Sequence, residues 1–198
     1  MKKVFALVMV AVMVAAMFAG CGKAEDSSDP AVIQIGTSGP LTGPNAAYGT
    51  AVEAGMKIAV EEINALGGLQ FEFKAEDDEA DGEKAVAAYN VLKDWGMDVF
   101  AGSVTTGSSL ATAAEAVADN MFMLTPSASA MEVATSGPTV FQMCFTDPNQ
   151  GVSAAELIAA KWPEAVIGVI YDSSDAYSAG IYNGFMAKAT ELGLNIVV

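Results

Sequence analysis

The chain has 198 residues, 53% of them hydrophobic, with nine basic side chains against 24 acidic ones and a formal net charge of −15. Every basic residue is a lysine and none cluster beyond Lys2 and Lys3, so the basic footprint that a phosphate backbone requires is missing and nucleic acid is excluded as a partner. Histidine is absent, which removes the commonest metal ligand and the usual base of a serine or cysteine nucleophile.

At the start of the chain Lys2 and Lys3 precede an apolar run from Val4 to Phe18, closed by Ala19-Gly20-Cys21. The run is shorter than the roughly 20 residues of a spanning helix and ends in small residues, which predicts a secretion signal over residues 1–20 that is removed. Ala19-Gly20-Cys21 resembles the bacterial lipobox, with Phe18 in place of the usual Leu. That resemblance implies acylation of Cys21 as the new N-terminus, a tether over 21–30, and an extracytoplasmic protein anchored to the membrane by lipid. Loss of the signal leaves seven lysines against the 24 acidic residues. Cys144 is then the one remaining thiol, so no internal disulfide forms. It lies in the apolar string Val140 to Phe145, where a buried structural thiol is expected.

Beyond the tether, short β-type runs alternate with longer helical periods, the pattern of βαβ units and a parallel sheet. Strands are expected at 31–36, 69–74, 98–102 and 121–125, with helices over 48–65, 82–95 and 106–118. The first helix places Val52, Met56, Ile58, Ala59, Ile63 and Leu66 on one face and ends at Gly67-Gly68. A second unit follows Cys144, with helices over 148–161 and 177–192 and strands over 165–171 and 194–198. The domains are thus a first α/β lobe over 31–143 and the start of a second over 144–198. The chain stops inside the last strand, which predicts a fragment of a longer protein whose unfinished second lobe exposes a sheet edge.

In open parallel sheets ligands bind beyond the carboxyl ends of the strands. Three loops there are uncharged and rich in hydroxyls: Gly36 to Gly43, Gly102 to Ser109, and Thr125 to Ala130. The Thr105 to Ser109 segment opens a helix, where unpaired N–H groups and the helix dipole suit a small anion such as a carboxylate. Taken alone, the segment reads more simply as plain N-capping by Ser and Thr, and the three loops together shift the balance towards a binding site. The acidic run Glu76 to Gly82 imitates a calcium loop but has Ala88 where the bidentate Glu belongs, so a solvated loop before a helix is expected. A phosphate-accepting Asp77 or Asp78 conflicts with the export signal. No dinucleotide, P-loop or triad spacing occurs, and catalysis by carboxylates alone is left as a distant possibility.

The ordered set Gly39-Pro40-Leu41-Thr42-Gly43, Tyr48-Gly49, Ile63-Asn64 with Gly67-Gly68, Asp77-Asp78, Pro126 to Ser129 and Asp147-Pro148-Asn149-Gln150-Gly151 resembles the branched-chain amino acid binding proteins of type I periplasmic-binding architecture. The resemblance covers Ile33 to the end of the chain. It implies two Rossmann-like α/β lobes with parallel sheets flanked by helices, joined by a hinge, the second lobe truncated. It also implies a non-enzymatic lipoprotein that uses no cofactor or metal and delivers a small amino acid to ABC-transporter permease subunits, with a sensor for an amide, urea or other small acid as the alternative. By position Thr106, beside Thr105, resembles the hydroxyl that binds the ligand carboxylate. Ser129 resembles the hydroxyl on the ligand's polar head, and Ser127 the residue whose carbonyl meets the ammonium. Tyr48 resembles a first-lobe residue beside the pocket, and Tyr177 a second-lobe residue that closes over the ligand, although Tyr177 reads equally well as packing on its own lobe. Gln142 departs from the family's usual Arg, and the family's acid that pairs with the ammonium falls beyond Val198.

Overall fold

The computed structural model describes residues 32–197, and within them strands and helices alternate from end to end. The expected secretion signal, Cys21 and the expected tether lie outside the described residues. Strand β1 (Val32–Gly39) opens with β-branched residues suited to a pleated ladder and runs parallel to β2 (Gln70–Asp77), from Val32 opposite Gln70 to Gly39 opposite Asp77. Both strands outrun the expected 31–36 and 69–74. Ser38 and Gly39 stay in the ladder, and the Ser38 side chain is fully buried.

Between them, helix α1 (Ala46–Ala65) touches the loop after β1 at Gly49, where a Cβ would lie 2.1 Å from the Pro40 carbonyl oxygen. Its expected apolar face is only partly used. Val52 and Met56 are half-buried, whereas Ile58 and Ile63 are exposed and Leu66 is 85% exposed. Helix α2 (Gly82–Trp95) starts where the Asp81 carboxylate accepts from the Lys84 N–H at 2.9 Å and stops at Gly96, whose φ of 99° only glycine adopts freely.

Strand β3 (Val99–Phe100), helix α3 (Thr106–Ala118) and strand β4 (Met123–Thr125) follow, the strands shorter than expected. A short helix α4 (Met131–Ala134) and strand β5 (Val140–Gln142) were not foreseen from the sequence. In β5, Val140 is buried while Phe141 turns outward and stacks on Phe122 with ring centroids 5.3 Å apart. The five strands form one parallel sheet in the order β2-β1-β3-β4-β5. Its core is Tyr89, Leu92, Phe100, Met123, Val133 and Val140, with Tyr89 edge-on to Phe100 at 5.1 Å. Each such large side chain contributes about 1.5–3 kcal/mol on burial.

Helix α5 (Asp147–Lys161), strand β6 (Val166–Gly168), helix α6 (Ala176–Glu191) and strand β7 (Asn195–Val197) form the rest, β6 and β7 pairing in parallel as a separate sheet. Helices α5 and α6 meet backbone to backbone. A Cβ on Gly151 would lie 2.2 Å from the Ile181 carbonyl oxygen, and one on Gly184 would lie 2.5 Å from that of Pro148. The buried core of this part is small: Ala155, Phe185 and Ala189.

Candidate functional site

The sheet order reverses direction at β1, with β2 on one side and β3 on the other, so the carboxyl ends of β1 and β3 form the topological switch point where ligands enter such sheets. The three hydroxyl-rich loops leave the same edge of this sheet. Most of their hydroxyls turn inward.

Ser38 Oγ and Ser103 Oγ lie 2.6 Å apart, and Ser103 Oγ and Thr112 Oγ1 lie 3.1 Å apart. Thr125 Oγ1 donates to the Ser103 carbonyl at 2.6 Å, as Ser109 Oγ does at 2.8 Å, and the Ala128 N–H donates to Thr125 Oγ1 at 3.1 Å. All five of these hydroxyl residues are fully buried. The network pins the ends of β1, β3 and β4 to α3 and hydrogen-bonds groups that would be costly to bury unpaired.

The acidic run leads into α2 with Glu79 and Asp81 exposed, as expected, but Asp77 and Asp78 are not simply solvated. Asp77 Oδ1 accepts from the Leu41 N–H at 2.8 Å and the Glu79 N–H at 3.0 Å, while its Oδ2 accepts from the Thr42 hydroxyl, tying the β1–α1 loop to the end of β2. Burial works to raise its pKa, but these hydrogen bonds prevail and hold the carboxyl below its ordinary value. Asp78 is fully buried, accepting from Ser38 Oγ at 3.1 Å and from the Ala80 N–H at 2.9 Å. Burial pushes its pKa up against the opposing bonds from Ala80, Ser38 and Ser108. Runs of carboxylates look alike in sequence whether they are solvated or folded inward, so neither role had a signal.

Four of the residues picked out by resemblance come together. Thr105 is the N-cap of α3, but its hydroxyl donates to Ser108 Oγ at 3.1 Å and accepts no backbone N–H of the first turn, so no side-chain cap bond forms there. Thr106, 5% exposed, accepts from the Ser129 N–H on Oγ1 at 3.4 Å, and its own proton has no acceptor among the described residues. Ser127 Oγ donates to the Val104 carbonyl at 2.6 Å, while the Ser127 carbonyl accepts no bond among the described residues. Ser129 is buried, and its carbonyl accepts from the Asp147 N–H at 3.0 Å, which binds the β4 loop to the start of α5.

The two tyrosines stand apart from that cluster. Tyr48, in the first turn of α1, is 66% exposed, and Tyr177 lies at the start of α6. Tyr177 lines a groove of about 370 Å³ with Ile158, Ile167, Tyr171, Ile181 and Tyr182, and Tyr171 and Tyr182 stack with centroids 3.8 Å apart. Neither tyrosine makes a side-chain hydrogen bond among the described residues. Cys144 is half-buried, not buried as expected, because Phe141, Met143 and Phe145 around it face outward; its Sγ donates to the Ala128 carbonyl at 3.2 Å, and burial raises its pKa. Among the described residues no cluster of metal-ligating side chains occurs, and no helix is long and apolar enough to cross a membrane.

A parallel sheet with helices on its faces, a switch-point edge lined by buried hydroxyls and a second, smaller parallel sheet reached through α5 together describe an α/β ligand-binding architecture. The chain belongs to the periplasmic binding protein family, whose profile matches residues 32–198. It is 31% identical over 194 residues to the leucine-, isoleucine-, valine-, threonine-, and alanine-binding protein of Pseudomonas aeruginosa, covering 96% of this chain and 50% of that one. Among solved structures it resembles the branched-chain amino acid transporter substrate-binding protein LivJ of Streptococcus pneumoniae in complex with isoleucine. That match has a TM-score of 0.78 and 26% identity, over 85% of this chain and 48% of the other. A likeness of fold alone extends to a solute-binding protein of an ABC transporter from Rhodopseudomonas palustris in complex with 3,4-dihydroxybenzoic acid. There the TM-score is 0.76 and the identity 20%, over 84% and 46% of the two chains. The chain spans about half the length of the curated relatives it matches.

Proposed function

We propose that the complete protein is an extracytoplasmic solute-binding protein that captures a small amino acid, most readily a branched aliphatic one, and presents it to ABC-transporter permease subunits. The observation that carries this reading is the state of Thr106 at the opening of α3. One of its two lone pairs accepts from the Ser129 N–H at 3.4 Å while its proton is uncommitted, and the N–H groups around it have no side-chain cap. A hydroxyl donor beside a bare helix N-terminus matches what a carboxylate needs. The free Ser127 carbonyl a few residues away suits the other end of a zwitterion. The names of the related Pseudomonas and Streptococcus proteins favour leucine, isoleucine or valine within that class.

In this reading the two sheets begin two lobes, divided between residues 143 and 144, that close on the ligand by a hinge motion and exclude water from its charged groups. Tyr48 and Tyr177 flank the pocket from either lobe. Cys21 carries the lipid that keeps the protein at the membrane, and the bound ligand undergoes no reaction. Calorimetric titration of the complete protein with leucine, isoleucine, valine, other amino acids, amides, urea and 3,4-dihydroxybenzoate tests this function. Saturable one-to-one binding of an aliphatic amino acid supports it. Silence toward every amino acid with a response to an amide, urea or an acid without an amino group moves the function to that ligand class.

A further inference from the structure

Asp147, the first residue of α5, is 1% exposed. Its Oδ1 accepts a long bond from Gln150 Nε2 at 3.5 Å, and its Oδ2 has no partner among the described residues. Leaving a buried carboxylate oxygen unpaired is costly, so the position calls for an explanation beyond packing. Helix α6 closes over it with bare backbone: a Cβ on Gly180 would lie 2.8 Å from Asp147 Cβ and 3.0 Å from Oδ2. On its other side stands Ser129. The Asp147 N–H donates to the Ser129 carbonyl, and the Ser129 N–H donates to Thr106 Oγ1. Burial raises the Asp147 pKa, the neighbouring Ser129 hydroxyl works against that rise, and Glu132 and Asp175 add to it.

A serine hydroxyl has one proton to give and two lone pairs to offer. We infer that Asp147 is a positioning residue of the binding site: with a ligand in place its unpaired Oδ2 takes the Ser129 proton in a hydrogen bond, so that Ser129 Oγ faces the ligand as an acceptor only and selects a protonated amine over the same acid without one. Thr106 is set the opposite way, one lone pair taken by the Ser129 N–H and its proton free. The two hydroxyls thus sort the ends of a zwitterion. This inference rests on the reading above, in which Ser129 meets the ligand's polar head.

The test compares leucine with 4-methylpentanoate, the same acid without its amino group, by calorimetry on the complete wild-type protein and on Asp147→Asn and Gly180→Ala. Asparagine keeps the shape of Asp147 but loses its charge and, with its NH2 turned to Ser129, donates where the carboxylate accepts. Alanine at 180 displaces the carboxylate from outside and supplies the readout if the Asn variant does not fold. Leucine affinity should fall at least about tenfold in both variants, while 4-methylpentanoate affinity changes by less than about threefold. Equal weakening of both ligands, or no change in either, overturns the inference and leaves the amino acid reading standing. A wild-type protein that binds 4-methylpentanoate as tightly as leucine refutes that reading first and this inference with it.

Discussion

Ser38 Oγ and Ser103 Oγ meet 2.6 Å apart at the point where the sheet changes direction, with the buried Asp78 carboxylate bonded to Ser38 at 3.1 Å. The floor of the switch-point crevice is therefore a connected polar network. It holds β1, β3 and α3 in register, and each member depends on the others for its hydrogen bonds.

Replacing Asp78 by Ala orphans the Ala80 N–H and leaves the Ser38 hydroxyl only Ser103, and should destabilise the protein by about 1–3 kcal/mol. Asp78→Asn separates charge from shape. The folded pKa of Asp78 is raised, so its favourable contribution is complete below the unfolded value of 3.8 and is lost as pH rises through the folded value. The stability of Asp78→Asn relative to wild type, measured by urea unfolding, should therefore improve from pH 4 to pH 7. A difference that does not vary with pH would show that Asp78 is not desolvated as described.

Tyr89 makes the opposite kind of buried polar contact, giving its proton to Asp119 Oδ2 at 3.1 Å while its ring packs on Phe100. Tyr89→Phe should cost about 0.5–1.5 kcal/mol and Tyr89→Ala about 3–5 kcal/mol by thermal or urea unfolding. Similar losses for the two variants would mean that the ring contributes little.

The contact of α5 with α6 has no room for a methyl group. Gly151→Ala or Gly184→Ala must push the two helices apart, at about 1–3 kcal/mol or more, because backbone atoms stand in the way. Gly55, in the exposed part of α1, has nothing within 4 Å of a Cβ, so Gly55→Ala should raise stability by about 0.4–1 kcal/mol. Unfolding midpoints that move in the same direction for both changes would contradict this packing.

The alternation of strands and helices could be read in the sequence because β-branched runs such as Val32-Ile33 and helical periods such as that of α2 are local signals. Strand β5 escaped, since its residues sit in the apolar string that runs on to Phe145 and Phe141 faces outward beside Phe122, so no alternation marked it. The hydroxyl-rich loops were visible as composition, but composition does not say which way a serine points. Ser103 and Ser109 turn into the network, while Thr106 keeps a free proton. Asp147 and Gly180 lie far apart in sequence, and their fit emerges only when α6 crosses α5. The Tyr177 environment, a groove on its own part of the fold, follows from the neighbouring Tyr171 and Tyr182.

At the N-terminus, expression in a bacterial host should yield a protein that incorporates labelled fatty acid. Cys21→Ser should abolish the label and release the protein from the membrane fraction. Unchanged labelling would place the modification elsewhere.

The central claim is that the opening of α3 holds a ligand carboxylate through Thr106. The most direct measurement is the calorimetric affinity of the complete protein for leucine and for leucinamide, in wild type, Thr106→Ser and Thr106→Ala. Wild type and the serine variant should favour leucine by more than about tenfold, and the alanine variant should lose most of that preference by weakening leucine. Leucinamide bound as tightly as leucine by the wild-type protein, or a preference untouched in Thr106→Ala, would contradict the account.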